Sequence, residues 1–314
     1  MVFGILAGVL WALETVILGV ALSMTPFISD AQGIVLAPFV SAFIHDATSA
    51  VYMWIYNVIK GKSGEVFKLI KTKNFGFLLL SSAIGGPIGM TGYVMAVDNM
   101  GASIGAVASA VYPAIGGFLA YLFLKEKLKP YQWLLLLCTL GGVFALSYSP
   151  DLEIKNFWPG MCGVFMCAFG WGIEGVILAK CLNKEKVESE YALQIRQSVS
   201  ALVYGIVIVP AIGGWGFTIR LFSAQNLSAL LIIAAAAFCA TASYLCYYKA
   251  IAKIGASKAM ALNITYTAWA MIFGVIIFRN YSILTVRTIA CFLVVVVCGI
   301  LTAVDIKELL RAKR

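Results

Sequence analysis

Apolar stretches separated by short polar breaks follow one another along the whole chain. A membrane-spanning helix needs about 20 mostly apolar residues, and ten stretches approach this length. The predicted spans, numbered 1 to 10, are Val2–Ser23, Gly33–Val58, Phe75–Val97, Ala102–Leu124, Tyr131–Ser149, Phe157–Ala179, Ser189–Gly213, Leu227–Ala252, Gly255–Phe278 and Ile283–Val304. The pattern predicts an all-α integral membrane protein of ten transmembrane helices, without room for a separate soluble domain.

The composition supports lipid as the main surroundings of the chain. Of 314 residues, 62% are hydrophobic and only 12% are charged, which is unusual for a soluble domain. The net charge of +9 comes from residues spread over the gaps between spans, so we expect no nucleic-acid partner. Most of the eight cysteines lie inside apolar stretches without paired spacing, and we expect neither disulfides, nor a metal site, nor a cofactor. The first residues carry no positive charge, so we expect no cleaved signal peptide.

Basic residues are unevenly divided between the gaps. The gaps after odd-numbered spans hold only Lys155, Arg220 and Arg279. The residues in or around the gaps after even-numbered spans, and in the C-terminal tail, are Lys60, Lys62, Lys68, Lys71, Lys73, Lys125, Lys127, Lys129, Lys180, Lys184, Lys186, Lys253, Lys258, Lys307, Arg311, Lys313 and Arg314. By the positive-inside rule we expect both termini to be cytoplasmic, which an even number of spans also requires.

The chain contains an internal repeat. The segment Trp11–Leu18 (WALETVIL) matches Trp171–Leu178 (WGIEGVIL) at an offset of 160 residues, 171 minus 11. The segments Tyr93–Ala96 and Gly101–Ser103 match Tyr247–Ala250 and Gly255–Ser257 at an offset of 154, which also pairs Tyr112 with Tyr266; spans 2 and 7 agree more weakly, from Ser49 and Ser200 onward. We predict two five-span halves, residues 1–150 and 151–314. Because five is odd, the second half enters the membrane with opposite polarity, and such inverted repeats are typical of secondary transporters with a midplane substrate site.

Charged residues inside spans are candidates for function, because each costs at least ~2.5–3.5 kcal/mol at the bilayer centre. They are Glu14, Asp46, Glu174 and Arg196, with His45 next to Asp46. The pair His45 and Asp46 is compatible with a proton relay and with a helix-packing contact. For Arg196 the alternatives are an ion pair with a carboxylate and a side chain that points back to the cytoplasm.

Two of these acids lie on aromatic helix faces. Trp11 and Glu14 are three residues apart, as are Trp171 and Glu174, so each pair shares one face of its helix. The other aromatic residues expected near this site are Tyr93, Tyr112, Tyr244, Tyr247, Tyr248, Tyr266 and Trp269. Aromatic faces and a carboxylate in a low dielectric favour a cation, above all a quaternary ammonium group. The alternative is that these rings mark membrane interfaces or fill helix packing.

Glycine and proline residues weaken the helical hydrogen-bond ladder in spans 3 and 4. Gly85, Gly86, Pro87 and Gly89 follow closely in span 3, and Pro113 follows Tyr112 in span 4. Such residues are compatible with a hinge that lines a cavity and with close helix packing.

Five segments carry a family resemblance that extends over nearly the whole chain. They are Gly86–Met90 (GPIGM), Val111–Ile115 (VYPAI), Phe123–Lys125 (FLK), Ile195–Gln197 (IRQ) and Leu262–Tyr266 (LNITY). The chain resembles the drug/metabolite transporter superfamily, EamA-like, and within it the LicB-type choline importers of bacteria. The resemblance implies two inverted five-helix repeats, a choline-like substrate and the bacterial cytoplasmic membrane.

The resemblance also bears on single residues. Trp171 and Glu174 match the family pattern, as do His45 and Asp46. The match to the family pattern is weakest at Glu14. A second acid at this position is suited to accept a proton or a more highly charged substrate.

The leading hypothesis is an importer of choline or a similar quaternary ammonium solute that works by alternating access. The alternative within the same fold is an exporter of drugs, amino acids or other metabolites. A membrane enzyme would need an interfacial cluster of polar residues in a sizeable loop, so we expect no enzyme. Expected partners are a choline-like cation and membrane lipid, with a second copy of the chain, as a homodimer, left open.

Overall fold

The computed structural model describes residues 1–29, 31–148 and 154–305, except the side chains of residues 98, 102–104 and 106. Over these residues the secondary structure is helical, without strands. Among the described residues, ten helices are long and apolar enough to cross a membrane: Val2–Leu22, Ala31–Ile59, Lys73–Val97, Val107–Leu124, Pro130–Ser147, Phe157–Lys184, Ser189–Ala211, Ala224–Ile254, Ala256–Phe278 and Val286–Ala303. The predicted ten-span membrane fold is confirmed, and the span numbers are kept below.

Three of the predicted features lie outside the described residues. These are the end of span 5 at Ser149, the boundary between the halves at residues 150 and 151, and the basic tail from Lys307 to Arg314. The division into halves therefore stays a prediction.

Two short helices connect spans at opposite ends of the bundle. Ser63–Ile70 joins spans 2 and 3, and Trp215–Leu221 joins spans 7 and 8. In the first, Val66 is buried whereas Phe67 is exposed and packs against Trp54. This amphipathic helix therefore covers one end of the bundle with one face and presents the other to the surroundings.

The spans pack in pairs that the predicted repeat relates to one another. Span 1 lies along span 8, and span 6 lies along span 3. Span 1 also contacts span 9, and span 6 contacts span 4, while spans 2 and 7 and spans 5 and 10 contact each other. The predicted repeat relates span 1 to span 6, span 3 to span 8 and span 4 to span 9. It therefore maps the pair 1–8 onto the pair 6–3 and the pair 1–9 onto the pair 6–4. The pairs 2–7 and 5–10 map onto themselves. The fold is therefore compatible with an inverted repeat.

Small residues bring spans 1 and 9, and spans 3 and 6, into close contact. The Cα of Gly8 faces the backbone carbonyls of Leu262 and Asn263, and Gly92 and Gly163 face each other across spans 3 and 6. A side chain at any of these glycines would push the helices apart. Close approach through small residues is the usual way in which helices associate within a bilayer.

Span 3 and span 9 depart from regular α-helix near the middle of the bundle. Span 3 contains a π-helical segment, Ile84–Ile88, around Pro87, which has no N–H to donate. Span 9 is interrupted after Asn263, and its second part begins at Tyr266. Irregular backbone of this kind is tolerated inside a membrane where protein or a cavity surrounds it.

Candidate substrate-binding site

Two neighbouring cavities lie between the spans. The larger, which we call the vestibule, has a volume of about 300 Å³, and the smaller, the aromatic chamber, has about 50 Å³. The chamber is lined by Trp11, Tyr112, Trp171, Glu174, Gly175, Ser243, Tyr244, Tyr247, Asn263 and Tyr266. Four of these side chains also line the vestibule: Trp11, Trp171, Tyr244 and Tyr266. The two cavities therefore share a wall of four aromatic side chains.

The vestibule extends to the end of the bundle opposite the N-terminus. Its lining includes Leu22 at the end of span 1, Pro38 early in span 2 and Val94 late in span 3. These residues lie near the end of the bundle at which span 1 ends and span 2 begins. The aromatic chamber lies farther from that end, because its lining residue on span 1 is Trp11, in the middle of the span.

At the other end the helices are held together. The Ser243 hydroxyl donates to the Ala7 carbonyl over 2.8 Å. The Glu126 carboxylate accepts hydrogen bonds from the backbone N–H groups of Ala256 (3.0 Å) and Ser257 (3.1 Å), at the start of span 9. A carboxylate at a helix N-terminus is favoured by the unpaired N–H groups there. The bundle is therefore closed on the side of the N-terminus.

Aromatic rings of both halves form the walls of the chamber. Trp11 contacts Tyr244 and Tyr266 edge-to-face, with ring centroids 4.9 and 6.4 Å apart. Trp171 contacts Tyr112 edge-to-face at 5.9 Å and stacks on Tyr93 at 6.2 Å. These arrangements match the preferred geometries of aromatic pairs, so each ring fixes the orientation of its neighbours.

Hydrogen bonds hold three of these rings in place. The Trp171 indole N–H donates to the Gly85 carbonyl over 2.8 Å, inside the π-helical segment of span 3. Asn263 donates to the Tyr112 hydroxyl over 3.1 Å. The Tyr266 hydroxyl lies 3.1 Å from the Ser109 hydroxyl. The irregular backbone of span 3 thus supplies an acceptor to the chamber wall.

The glycines of span 3 are required for close packing against the site. A Cβ atom on Gly85 would overlap the Glu174 carboxylate, and one on Gly86 would overlap the Ser200 hydroxyl. A Cβ atom on Gly89 would approach the Trp171 ring to 2.7 Å. Close packing is observed at these glycines, and Gly85 and Gly86 also line the vestibule within the π-helical segment.

Arg196 pairs with two buried acids. Its Nε donates to Glu174 over 3.1 Å, and its terminal nitrogen lies 3.4 Å from Asp46. The guanidinium also lies 4.6 Å from the centre of the Tyr244 ring. The ion pair, and not a side chain directed towards the cytoplasm, is therefore what the structure shows. A buried arginine needs such partners, because an uncompensated charge inside the membrane is costly.

Asp46 is shared between several donors. One of its oxygens accepts from the Ser200 hydroxyl over 2.5 Å, and the other lies 2.9 Å from Nδ1 of His45. With the arginine contact, both oxygens of Asp46 have partners. Asp46 thus orients both Arg196 and His45.

Glu14 has weaker partners than Glu174. One of its oxygens accepts from the neighbouring Thr15 hydroxyl over 3.2 Å, and the other lies 3.6 Å from Nε2 of His45. Glu14 is 4% exposed and His45 is 7% exposed. Glu14, His45, Asp46 and Arg196 all line the vestibule, so the acid is buried and yet faces a cavity.

The structure brings most of the predicted site residues together and separates two of them. Tyr248 is fully buried behind Tyr244 and Tyr247, with ring centroids 6.2 and 6.3 Å away, and Trp269 packs on Phe292 of span 10 at 5.5 Å. Neither lines the chamber or the vestibule. The structure therefore corrects the expectation that Tyr248 and Trp269 share the site. Spacing along a helix predicts which residues share one face, but it does not predict which neighbouring helix packs against that face.

Several lining residues were missing from the predicted site. Ser243, Asn263 and Gly175 line the chamber, and Ser200 supports Asp46. Asn263 had a signal in the sequence, because the offset of 154 residues that pairs Tyr112 with Tyr266 places Asn263 opposite Ser109. The structure shows both as hydrogen-bond partners of these two tyrosines.

Comparisons with known proteins agree with this architecture. Protein LicB of Haemophilus influenzae is 26% identical over 280 residues, which cover 88% of this chain and 89% of that protein. A solved crystal structure that shares 16% of its sequence superposes with a TM-score of 0.68 over 100% of this chain and 98% of the other, and so shows the fold. The sequence model of the EamA-like transporter family matches residues 1–148 and 158–304. The chain therefore belongs to the EamA-like transporter family of the drug/metabolite transporter superfamily, as a multi-pass membrane protein.

Proposed function

We propose that this transporter imports choline or a similar quaternary ammonium solute by alternating access. The observation that carries the proposal is the aromatic chamber, in which Trp11, Trp171 and tyrosines of both halves surround a small space next to buried carboxylates. A quaternary ammonium group has no N–H to donate, and proteins typically hold it against aromatic faces. The resemblance to LicB-type choline importers points to the same substrate class.

The charges around the two cavities favour a cation. Glu14, Asp46 and Glu174 are acids, and Arg196 is the one permanent cation among the titratable groups that line the cavities. With His45 neutral and all three acids ionised, three negative charges face one positive charge. Because unbalanced charge is costly in a membrane interior, a bound cation lowers the free energy of the site, whereas a bound anion raises it.

The accessible side of the site is the side from which an importer binds its solute and to which an exporter releases it. By the positive-inside rule, the closed end, which carries most of the lysines, faces the cytoplasm and the vestibule faces outward across the bacterial cytoplasmic membrane. An importer takes its solute from this conformation. One positive charge that moves inward gains ~2.3 kcal/mol per 100 mV of membrane potential.

Choline binding to the purified protein tests the proposal. Calorimetry on the intact chain should show saturable binding, and Trp171→Ala and Glu174→Gln should each weaken it. Trp269→Phe is the matched control, because Trp269 packs on Phe292 away from both cavities, and it should bind like the intact chain. Absence of choline binding by the folded intact chain would reject the proposal.

Direction of transport is tested separately, in vesicles that contain the purified protein. Uptake of labelled choline should increase when the vesicle interior is made negative, and Trp171→Ala should abolish the increase. Efflux of drugs or metabolites without choline uptake would instead support the exporter.

A further inference from the structure

The side chains of Glu14 and His45 face each other, but no hydrogen bond joins them in the part of the chain that the structure describes. Oε1 of Glu14 lies 3.6 Å from Nε2 of His45, which is too long for a hydrogen bond. Nε2 of His45 is buried and has no hydrogen-bond partner among the described residues. A buried polar atom without a partner loses its hydration without compensation, so this position calls for a ligand atom.

The other ring nitrogen of His45 restricts what that atom can be. Nδ1 lies 2.9 Å from Asp46, and a carboxylate only accepts hydrogen bonds, so Nδ1 carries a proton. If His45 is neutral, Nε2 is an acceptor that faces the acceptor oxygen of Glu14. If His45 is charged, its Nε2–H is a donor with no acceptor in reach. In both states the space between the two residues is incompletely paired.

A hydroxyl group satisfies both residues when His45 is charged, because it then donates to the Glu14 carboxylate and accepts from the Nε2–H of His45. When His45 is neutral, the hydroxyl supplies a donor to one of the two facing acceptors. An oxygen about 2.8 Å from both atoms lies beside the line that joins them, and both residues line the vestibule. An ether oxygen only accepts, and a carboxylate would meet the charge of Glu14.

The same position lies next to the aromatic chamber. Glu14 is three residues from Trp11 on span 1, and Trp11 lines both cavities. An ammonium group in the chamber therefore leaves a short substituent pointing into the vestibule, on the side of Glu14 and His45.

We propose that Glu14 and His45 together recognise a hydroxyl group on the substrate, and so select hydroxyl-bearing quaternary ammonium compounds. This inference rests on the proposed function, because it needs an ammonium group in the chamber.

Matched ligands test the inference on the intact chain. Choline, its methyl ether and trimethylpropylammonium carry the same trimethylammonium head and differ at the hydroxyl. Choline should bind about tenfold more tightly than trimethylpropylammonium, the size expected for one hydrogen bond within a buried, partly charged site. The methyl ether should bind like trimethylpropylammonium.

Variants then assign the preference to the two residues. Glu14→Leu and His45→Phe should bring the affinity ratio of choline to trimethylpropylammonium close to one. Glu174→Gln is the control at the repeat-equivalent acid: it should weaken both ligands and leave the ratio unchanged. If one of the two variants does not fold, the other variant and the ligand series on the intact chain still decide.

The outcomes separate this inference from the proposed function. If the intact chain binds all three ligands equally, the hydroxyl inference is overturned and the cation chamber stands. If it binds none of them, both fall. A preference for choline that survives in both Glu14→Leu and His45→Phe would mean that water fills the gap and the hydroxyl is read elsewhere, which also overturns the inference.

Discussion

The two acid-bearing aromatic faces of the site, one from each predicted half, share their shape but not their charge. Trp11 contacts Tyr266 at 6.4 Å with an interplanar angle of 81°, and Trp171 contacts Tyr112 at 5.9 Å with an angle of 89°. These two pairs are equivalent under the repeat. The acids next to them differ, since Glu174 pairs with an arginine and Glu14 does not.

The basic partners of the two acids are equivalent as well. Aligning Ser49 with Ser200 gives an offset of 151 residues, which places His45 opposite Arg196. Each acid thus faces the same position of the repeat, with a permanent guanidinium at 3.1 Å in one half and an imidazole at 3.6 Å in the other. In the second half, the permanent charge of Arg196 compensates Glu174. In the first half, Glu14 has no permanent cation beside it, so a cationic solute can compensate its charge.

Removing Arg196 breaks the neutralised half and should have the largest effect. Arg196→Gln leaves Glu174 and Asp46 buried without their ion-pair partner, which should lower the free energy of unfolding by about 3–5 kcal/mol. The measurement is thermal unfolding in detergent. His45→Gln is the matched control, because it changes the equivalent position where no arginine is present, and it should destabilise much less. Equal destabilisation by both would mean that the arginine pair is not special.

Making the halves alike should remove most of the cation affinity. His45→Arg would give Glu14 a permanent positive partner, and trimethylpropylammonium binding should weaken by about 30–150-fold, the equivalent of ~2–3 kcal/mol for one charge-assisted contact. This ligand lacks a hydroxyl, so the test isolates charge. His45→Gln is again the control, and it should retain binding. If His45→Arg binds as the intact chain does, Glu14 is not the counter-charge of the substrate.

The two tryptophans allow a sharper comparison of the halves. Trp11→Leu and Trp171→Leu should each weaken choline binding by ~2 kcal/mol, about 30-fold. Trp171 donates its indole N–H to the Gly85 carbonyl, and its replacement leaves that carbonyl without this donor. Trp171→Leu should therefore also lower the unfolding temperature more than Trp11→Leu does. Calorimetry and thermal unfolding of the same samples give both numbers. Loss of affinity in one variant alone would show that the substrate lies against a single half.

The sequence predicted the spans and the two acid-bearing faces because both depend on regular spacing. Ten apolar stretches and a three-residue spacing of Trp and Glu are properties of single helices. Contacts between helices depend on how distant spans rotate against each other. For this reason the spacing groups Trp269 with Tyr266 although Trp269 packs on span 10, and it leaves the partners of Arg196 open.

The hydrogen bonds of the repeat-equivalent tyrosines provide the smallest test. Tyr112→Phe removes the bond from Asn263, and Tyr266→Phe removes the contact with Ser109; each should lower the free energy of unfolding by about 0.5–1.5 kcal/mol.

If these two hydrogen bonds contribute to stability independently, two substitutions should be coupled only when their residues share a bond. Tyr112→Phe combined with Asn263→Ala should then be less destabilising than the sum of the single changes, because both remove the same bond. Tyr112→Phe combined with Tyr266→Phe removes two separate bonds and should come close to additive. Additivity in the first pair would mean that the 3.1 Å contact contributes nothing, and strong coupling in the second would mean that the two tyrosines act as one unit across the halves.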